Sequence, residues 1–140
     1  MYCLPILKTE ADRRALVQAA TSGNPKFFAG TDSAPHVATA KECDHGCAGI
    51  FSANAALELY ATVFDAADAL EKLEAFVSEA GANFYGLPLN ARTVTLRHET
   101  HVMPASFEFP DATGQANTVV PLLAGQELAW QAVLDTEEVS

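Results

Sequence analysis

An aspartate and a histidine stand four positions apart, where a short apolar segment gives way to a polar turn. Asp32 and His36 follow residues 27–30, which are apolar throughout. The carboxyl ends of strands in a parallel α/β sheet carry the chemistry of such proteins, and a carboxylate there can bind a metal ion or move a proton. Pro35 restricts the backbone between them. We therefore expect Asp32 and His36 to be held in a fixed relation, although Asp32 alone is more often a turn former or helix N-cap.

A second candidate is a cluster of two cysteines and a histidine in one loop. Cys43, His45 and Cys47 have the spacing Cys-x-His-x-Cys, which could be interpreted as a zinc knuckle. The spacing is tighter than the usual pairs of zinc ligands, and no second ligand pair follows. The pattern favours reduced cysteines in a glycine-rich loop.

Two other combinations are weaker. His98 and His101 are three positions apart in a segment predicted to be extended, where they would face opposite sides or bracket a turn. We expect them to be surface histidines without a metal. Ser33 and Cys47 lack the partners that a catalytic nucleophile needs, since no Gly-x-Ser-x-Gly pattern is present.

The elements that would position Asp32 are two strands and a helix. Residues 2–7 and 27–30 are continuous apolar runs, typical of strands buried on both faces. Between them, Thr9 predicts an N-cap followed by acidic residues, and residues 22–25 end the helix. This order predicts a right-handed parallel crossover of an α/β protein.

The rest of the chain predicts two helices and a β tail within one domain, 1–140. Residues 37–53 read as a loop and residues 54–64 as a helix. Asp68 and Glu71 have the spacing of a capping box that would open a second helix, ended by Gly81. Short β segments are predicted at residues 93–97, 119–120 and 128–133.

Composition excludes several classes of protein. The chain has 140 residues, 49% of them hydrophobic, and 18 acidic against 8 basic residues give a net charge of −10. This balance argues against nucleic acid and anionic membranes as partners. No run of 18 apolar residues predicts a membrane span, and the N-terminus lacks the basic start of a signal peptide. Three cysteines, an odd number, favour reduced thiols and a cytoplasmic location.

Several motifs in one order resemble a known family. Residues 30–36 read Gly-Thr-Asp-Ser-Ala-Pro-His, with Lys-Glu at 41–42 and Gly-Cys-Ala-Gly at 46–49 downstream. Residues 2–8, 61–64, 84–88 and 120–125 continue the match. Together they closely resemble the bacterial single-domain (class II) dihydroorotases, members of the amidohydrolase superfamily, over nearly the whole chain.

The resemblance implies a zinc-dependent amidohydrolase on a (β/α)8 TIM-type barrel, which interconverts N-carbamoyl-aspartate and dihydroorotate in pyrimidine biosynthesis. Asp32 would end strand eight, ligate the more buried of two zinc ions and act as general base, then as acid. His36 would bind the substrate carboxylate. Leu4 and Ala48 would contact the substrate through backbone groups. The complete enzyme would be a homodimer.

Length sets this chain apart from that family. Such a barrel needs roughly 250 residues, and the chain has 140 and no His-x-His pair. We expect it to correspond to strands seven and eight with the following helices and tail. It would then be inactive alone and prone to self-association or aggregation. The alternative is a non-catalytic binding or assembly domain derived from a dihydroorotase. Another amidohydrolase, such as a hydantoinase or deaminase, fits residues 33–36 and 46–49 less well.

Overall fold

Helices and short strand pairs make up the regular structure of the chain. The computed structural model describes residues 2–4, 6 and 9–134. The helices are α1 (Glu10–Ala20), α2 (Ala38–Lys41), α3 (Ala56–Ala66) and α4 (Ala80–Tyr85). The strands are β1 (Val94–Arg97), β2 (His101–Val102), β3 (Phe107–Pro110), β4 (Ala116–Val119), β5 (Glu127–Leu128) and β6 (Gln131–Leu134).

The chain divides into two units, each built from three stretches of sequence. The first unit comprises Met1–Lys8, Thr31–Ala56 and Val102–Glu127. The second comprises Thr9–Gly30, Leu57–His101 and Leu128–Ser140. Asp32, His36 and the cysteine loop all belong to the first unit, so the candidate site is described within it.

The start of α1 confirms the predicted N-cap. The Thr9 hydroxyl oxygen accepts a hydrogen bond from the Asp12 amide at 3.3 Å, and Asp12 Oδ2 accepts from the Thr9 amide at 2.9 Å. These bonds satisfy donors that a helix start otherwise leaves unpaired. The helix ends at Ala20, just before the predicted turn.

The two predicted parallel strands are wrong for the residues that the structure describes. Neither residues 2–4 and 6 nor residues 27–30 form a strand; Pro5 and Leu7 lie outside the described residues. A strand exists only where a neighbour completes its ladder. Here the Ala29 amide donates instead to the carbonyl of Phe76, at 3.0 Å. The predicted burial on both faces is also wrong for the large side chains of Tyr2, Leu4, Ile6 and Phe27, which are exposed.

Helix α3 contributes Ala61 and Phe64 to the core of the second unit. A 3-10 turn, Ala53–Ala55, precedes it, so the predicted helix at 54–64 is confirmed with a shift of two residues. Phe64 is fully buried, and its ring lies 5.2 Å from that of Phe76. The buried cluster consists of Ala61, Phe64, Ala69, Leu73 and Phe76.

The second predicted helix differs at both ends. No side chain caps the 3-10 turn Leu70–Lys72, so the capping box predicted at Asp68 does not form. The helical segment runs through a π turn at Ala75–Glu79 into α4. It therefore continues past Gly81 and ends at Gly86. Gly86 adopts a left-handed φ of 66°, which glycine reaches at little cost.

The predicted β tail consists of three two-stranded sheets. Strand β1 pairs with β6 from Val94↔Leu134 to Arg97↔Gln131, and β3 pairs with β4 from Phe107↔Val119. Strand β2 pairs with β5. The segments predicted at 93–97 and 119–120 correspond to β1 and the end of β4, while 128–133 is divided between β5 and β6. Within the described residues, no helix is long and apolar enough to cross a membrane.

Candidate active-site loops

Asp32 occupies a backbone conformation that most residues avoid. Its φ is +43°, in the left-handed region, where aspartate and asparagine are enriched among non-glycine residues. The side chain is exposed, and its carboxylate accepts no hydrogen bond from another residue that the structure describes. The carboxylate is therefore available to bind a group outside this turn.

Ser33 anchors the turn that carries Asp32. Its hydroxyl oxygen accepts hydrogen bonds from the Ser52 amide at 3.1 Å and the Ala53 amide at 3.0 Å. The Ala34 amide donates to the carbonyl of Ile50 at 2.9 Å. Sequence reasoning considered Ser33 only as a nucleophile; in the structure its hydroxyl caps the start of a helical turn 20 positions away.

His36 and Ala48 lie in direct contact, twelve positions apart in sequence. His36 Nε2 is 3.0 Å from the Ala48 carbonyl oxygen. Because a carbonyl oxygen only accepts, Nε2 must carry the proton in this bond. Nδ1 is then left for another partner. The structure thus brings together two of the residues that the family resemblance assigns to the substrate.

Gly49 allows the two loops to approach this closely. Its φ is +146°, and a Cβ atom there would lie 2.5 Å from the Ala34 Cβ and 2.9 Å from the Ala34 carbonyl oxygen. Real Cβ atoms do not come so near to backbone. The position therefore needs glycine for both conformation and space.

The Lys41 ammonium donates hydrogen bonds to three backbone carbonyl oxygens. Its Nζ donates to Tyr2 O at 2.8 Å, to Cys47 O at 2.8 Å and to Gly49 O at 2.6 Å. The Gly49 amide also donates to Tyr2 O, at 3.0 Å. Sequence reasoning noted Lys41 only as part of a motif, because no local pattern reveals acceptors that are up to 39 positions away.

A cavity of about 370 Å³ lies beside these groups. Its lining includes Tyr2, Ala34, His36, Lys41, Gly49 and Val120. Leu4 is not among the lining residues, and its side chain is 62% exposed. The backbone of the N-terminal segment nevertheless reaches the site through Tyr2, two positions before Leu4.

Sequence comparison with known proteins finds dihydroorotases. The chain is 58% identical over 130 residues to a dihydroorotase of Picosynechococcus sp., and 56% identical over 132 residues to one of Alkalilimnicola ehrlichii. These alignments cover 93% and 94% of this chain.

The chain is homologous to the dihydroorotases. It spans only about 36% of the length of the relatives from Picosynechococcus and Nitrosococcus oceani. No protein-family model matches it.

Solved dihydroorotases share its structure. The Saccharomyces cerevisiae dihydroorotase, crystallised in complex with 5-fluoroorotic acid, superposes with a TM-score of 0.86 at 34% identity. The superposition covers 97% of this chain and 38% of the yeast chain. The Campylobacter jejuni dihydroorotase gives a TM-score of 0.78 at 32% identity, over 94% of this chain and 36% of that one. The chain therefore has the fold of part of a dihydroorotase, an enzyme built on a TIM barrel.

A dihydroorotase is expected to hold zinc, and the described residues do not fit that metal by themselves. Zinc takes three or four protein ligands. No group of three His, Cys, Asp or Glu side chains lies close enough to hold a metal ion within residues 2–4, 6 and 9–134. Asp32 offers a single carboxylate. Cys43 and His45 are exposed, Cys47 is half-buried, and the three side chains do not form such a group.

The other two histidines of this dihydroorotase homologue, His98 and His101, belong to the second unit. The exposed His98 packs edge-on against Trp130, with ring centroids 5.0 Å apart. His101 is half-buried, and its Nδ1 has no hydrogen-bond partner in the described structure. The prediction of two surface histidines is thus correct for His98 and wrong for His101.

Proposed function

We propose that this chain supplies part of a dihydroorotase active site, acting on dihydroorotate and N-carbamoyl-aspartate. The observation that carries the proposal is the 3.0 Å contact between His36 and Ala48, because it joins two residues with proposed roles at the substrate. In this proposal residues 2–7 and 27–30 take the places of strands seven and eight of the barrel. Their neighbours, and the remaining zinc ligands, come from polypeptide outside the described residues.

Asp32 is the proposed acid–base residue and a zinc ligand of the assembled site. In hydrolysis, its carboxylate removes a proton from the attacking water as the new C–O bond forms at the cyclic amide. The same proton then passes to the ring nitrogen as the C–N bond breaks. Cyclisation reverses both transfers, so one carboxylate serves both directions. Its exposure and lack of internal hydrogen bonds leave it available for this task.

His36, Ala48 and Leu4 are the proposed substrate contacts. The bond from His36 Nε2 to Ala48 fixes the imidazole ring. Nδ1 donates to the substrate carboxylate in the imidazolium form, in which both ring nitrogens carry a proton. Ala48 and Leu4 contribute backbone groups, which suit an amide-containing ring because they offer both donors and acceptors.

Reassembly of the barrel tests the proposal. This chain is co-expressed with the upstream part of a related dihydroorotase that ends before the segment matching residue 2. We expect zinc-dependent conversion of dihydroorotate by the pair, and none by this chain alone. The Asp32→Asn pair should associate equally well and be inactive, since an amide neither takes nor returns the proton. A covalent fusion of the two parts serves as the control for failed association.

A non-catalytic binding or assembly role is the second candidate. It is favoured by the lack of a three-ligand metal group among the described residues. A folded, associated or fused wild-type pair that remains inert with added zinc would replace the catalytic proposal with this one.

A further inference from the structure

Lys41, in the first unit, makes three hydrogen bonds and has no assigned role. The Lys41 ammonium has three N–H donors, and three backbone carbonyl oxygens lie 2.6–2.8 Å from it. No carboxylate within the described residues forms a salt bridge with it. Its charge is met by these carbonyl dipoles and by the face of the Tyr2 ring, whose centroid lies 5.8 Å away. This arrangement orders backbone and does not pair surface charges.

The acceptors lie on either side of proposed substrate-contact groups. Cys47 O and Gly49 O flank Ala48, whose own carbonyl turns to His36 instead. The third acceptor, Tyr2 O, belongs to the segment that carries Leu4, and it also accepts from the Gly49 amide. One side chain thus fixes both the direction of the Ala48 peptide and the approach of the N-terminal segment.

We propose that Lys41 is a positioning residue for substrate binding, acting through the Ala48 and Leu4 backbones without touching the substrate. This inference rests on the proposed function. Neither methionine nor arginine should replace it. Methionine keeps a similar stem but has no donors, and the planar fork of arginine does not direct three N–H groups from one atom to three converging carbonyls.

Amide hydrogen exchange of the full chain tests the effect of the Lys41 hydrogen bonds on the backbone, independently of activity. In Lys41→Met, exchange of the Gly49 amide should accelerate at least about tenfold, because hydrogen bonds to a charged group each contribute more than that factor. Lys26→Met, which removes an exposed lysine from the other unit, should leave that amide unchanged. Equal protection of Gly49 in Lys41→Met and wild type would overturn the inference.

Kinetics of the fused enzyme test the connection to substrate. Lys41→Met should raise KM for dihydroorotate at least about tenfold while kcat changes much less, as expected when uniform binding is lost. Lys41→Arg, which keeps charge and stem, should show the same split in weaker form and carries the test if Lys41→Met does not fold. An accelerated Gly49 amide with an unchanged KM would overturn the positioning role while leaving the dihydroorotase proposal intact. An inactive wild-type fusion would overturn both the positioning role and the dihydroorotase proposal. The exchange data would then show only that the Lys41 hydrogen bonds stabilise the backbone.

Discussion

At the scale of single residues, His36 has one hydrogen bond within the chain and one proposed bond to the substrate. Its Nε2 holds Ala48, and the proposal gives its other nitrogen to the substrate carboxylate. In the fused enzyme, His36→Ala should raise KM for dihydroorotate by about 10- to 100-fold, the loss expected for one charge-assisted hydrogen bond. The fall in kcat should be smaller, because Asp32 is untouched. Steady-state kinetics against a His45→Ala control, which alters an exposed histidine nearby, would measure this; an unchanged KM would remove His36 from the site.

Gly49 makes a stability prediction that needs no partner. Gly49→Ala places a Cβ 2.5 Å from the Ala34 Cβ, so the loops that carry His36 and Ala48 must separate. Gly114→Ala is the matched control, since Gly114 also has a positive φ, of +84°, but open space around it. We expect Gly49→Ala to lower the free energy of unfolding by about 1–3 kcal/mol more than the control. Equal losses in denaturant titrations would mean that the close approach does not matter.

Candidate residues can be found in the sequence only where their signal is local, and the chemistry of Asp32 stays a prediction. Asp32 was singled out because a polar residue at the end of an apolar run is visible in the sequence. The roles of Lys41 and Ser33 were not visible, because their partners are backbone groups brought near by folding. A side chain that bonds to main chain leaves no complementary residue type for a pattern to detect.

At the scale of elements, α1 was predicted well because its signals are contained in its first turn. That turn also makes a small contribution to the pH dependence of stability. Hydrogen bonds from Arg13, at 2.7 and 2.8 Å, and from Arg14 lower the pKa of Glu10 from 4.5 to about 2. A lowered pKa in the folded state contributes stability that is fully present above pH 4.5. The contribution is lost as the pH falls towards 2.

The Glu10→Gln variant isolates this contribution from the other carboxylates. The wild type should melt at a slightly higher temperature than Glu10→Gln at pH 6, and the difference should shrink between about pH 5 and pH 2. The effect should be small, since all three side chains are exposed and solvent screens them. Thermal unfolding followed by circular dichroism gives both curves. A difference that is constant from pH 6 to pH 2 would contradict the assignment.

Other elements were mispredicted because they depend on neighbours that are distant in the sequence. Gly81 and Gly86 are both plausible helix ends in the sequence, yet only Gly86 has positive φ. At Gly81 a Cβ would lie 3.2 Å from the Phe28 ring, so this glycine serves close packing. Likewise, residues 2–7 and 27–30 have the composition of buried strands, but composition does not provide a neighbouring strand.

At the scale of the whole chain, the distribution of candidate ligands bears on metal binding. Because the described residues bring no three such side chains together, the purified chain should retain far less than one zinc ion after dialysis. Elemental analysis of the dialysed protein would measure this. Stoichiometric zinc would contradict the expectation, and its loss in Cys47→Ser would reinstate the Cys43, His45 and Cys47 site.

Exposed apolar side chains predict how the chain behaves in isolation. Leu4 and Ile6 in the first unit are 62% and 64% exposed, and Leu16 in the second is 70% exposed. Side chains of this kind are ordinarily buried in a barrel, where sheet and helices cover one another. Each would contribute about 1.5–3 kcal/mol if fully buried. Self-association is therefore favourable for the chain alone, through the faces that carry these side chains.

Light scattering coupled to size exclusion should consequently report a mass above 14.9 kDa that rises with concentration. Replacing Leu4, Ile6 and Leu16 together by glutamine should lower that mass, because each change removes apolar surface from a contact. Leu134→Gln, at a site 62% exposed in the β tail, is the matched control and should change it less. Binding of the upstream barrel part should displace self-association, since both would use the same faces. A concentration-independent monomer would contradict this account, because these faces would then be stable in water without a partner.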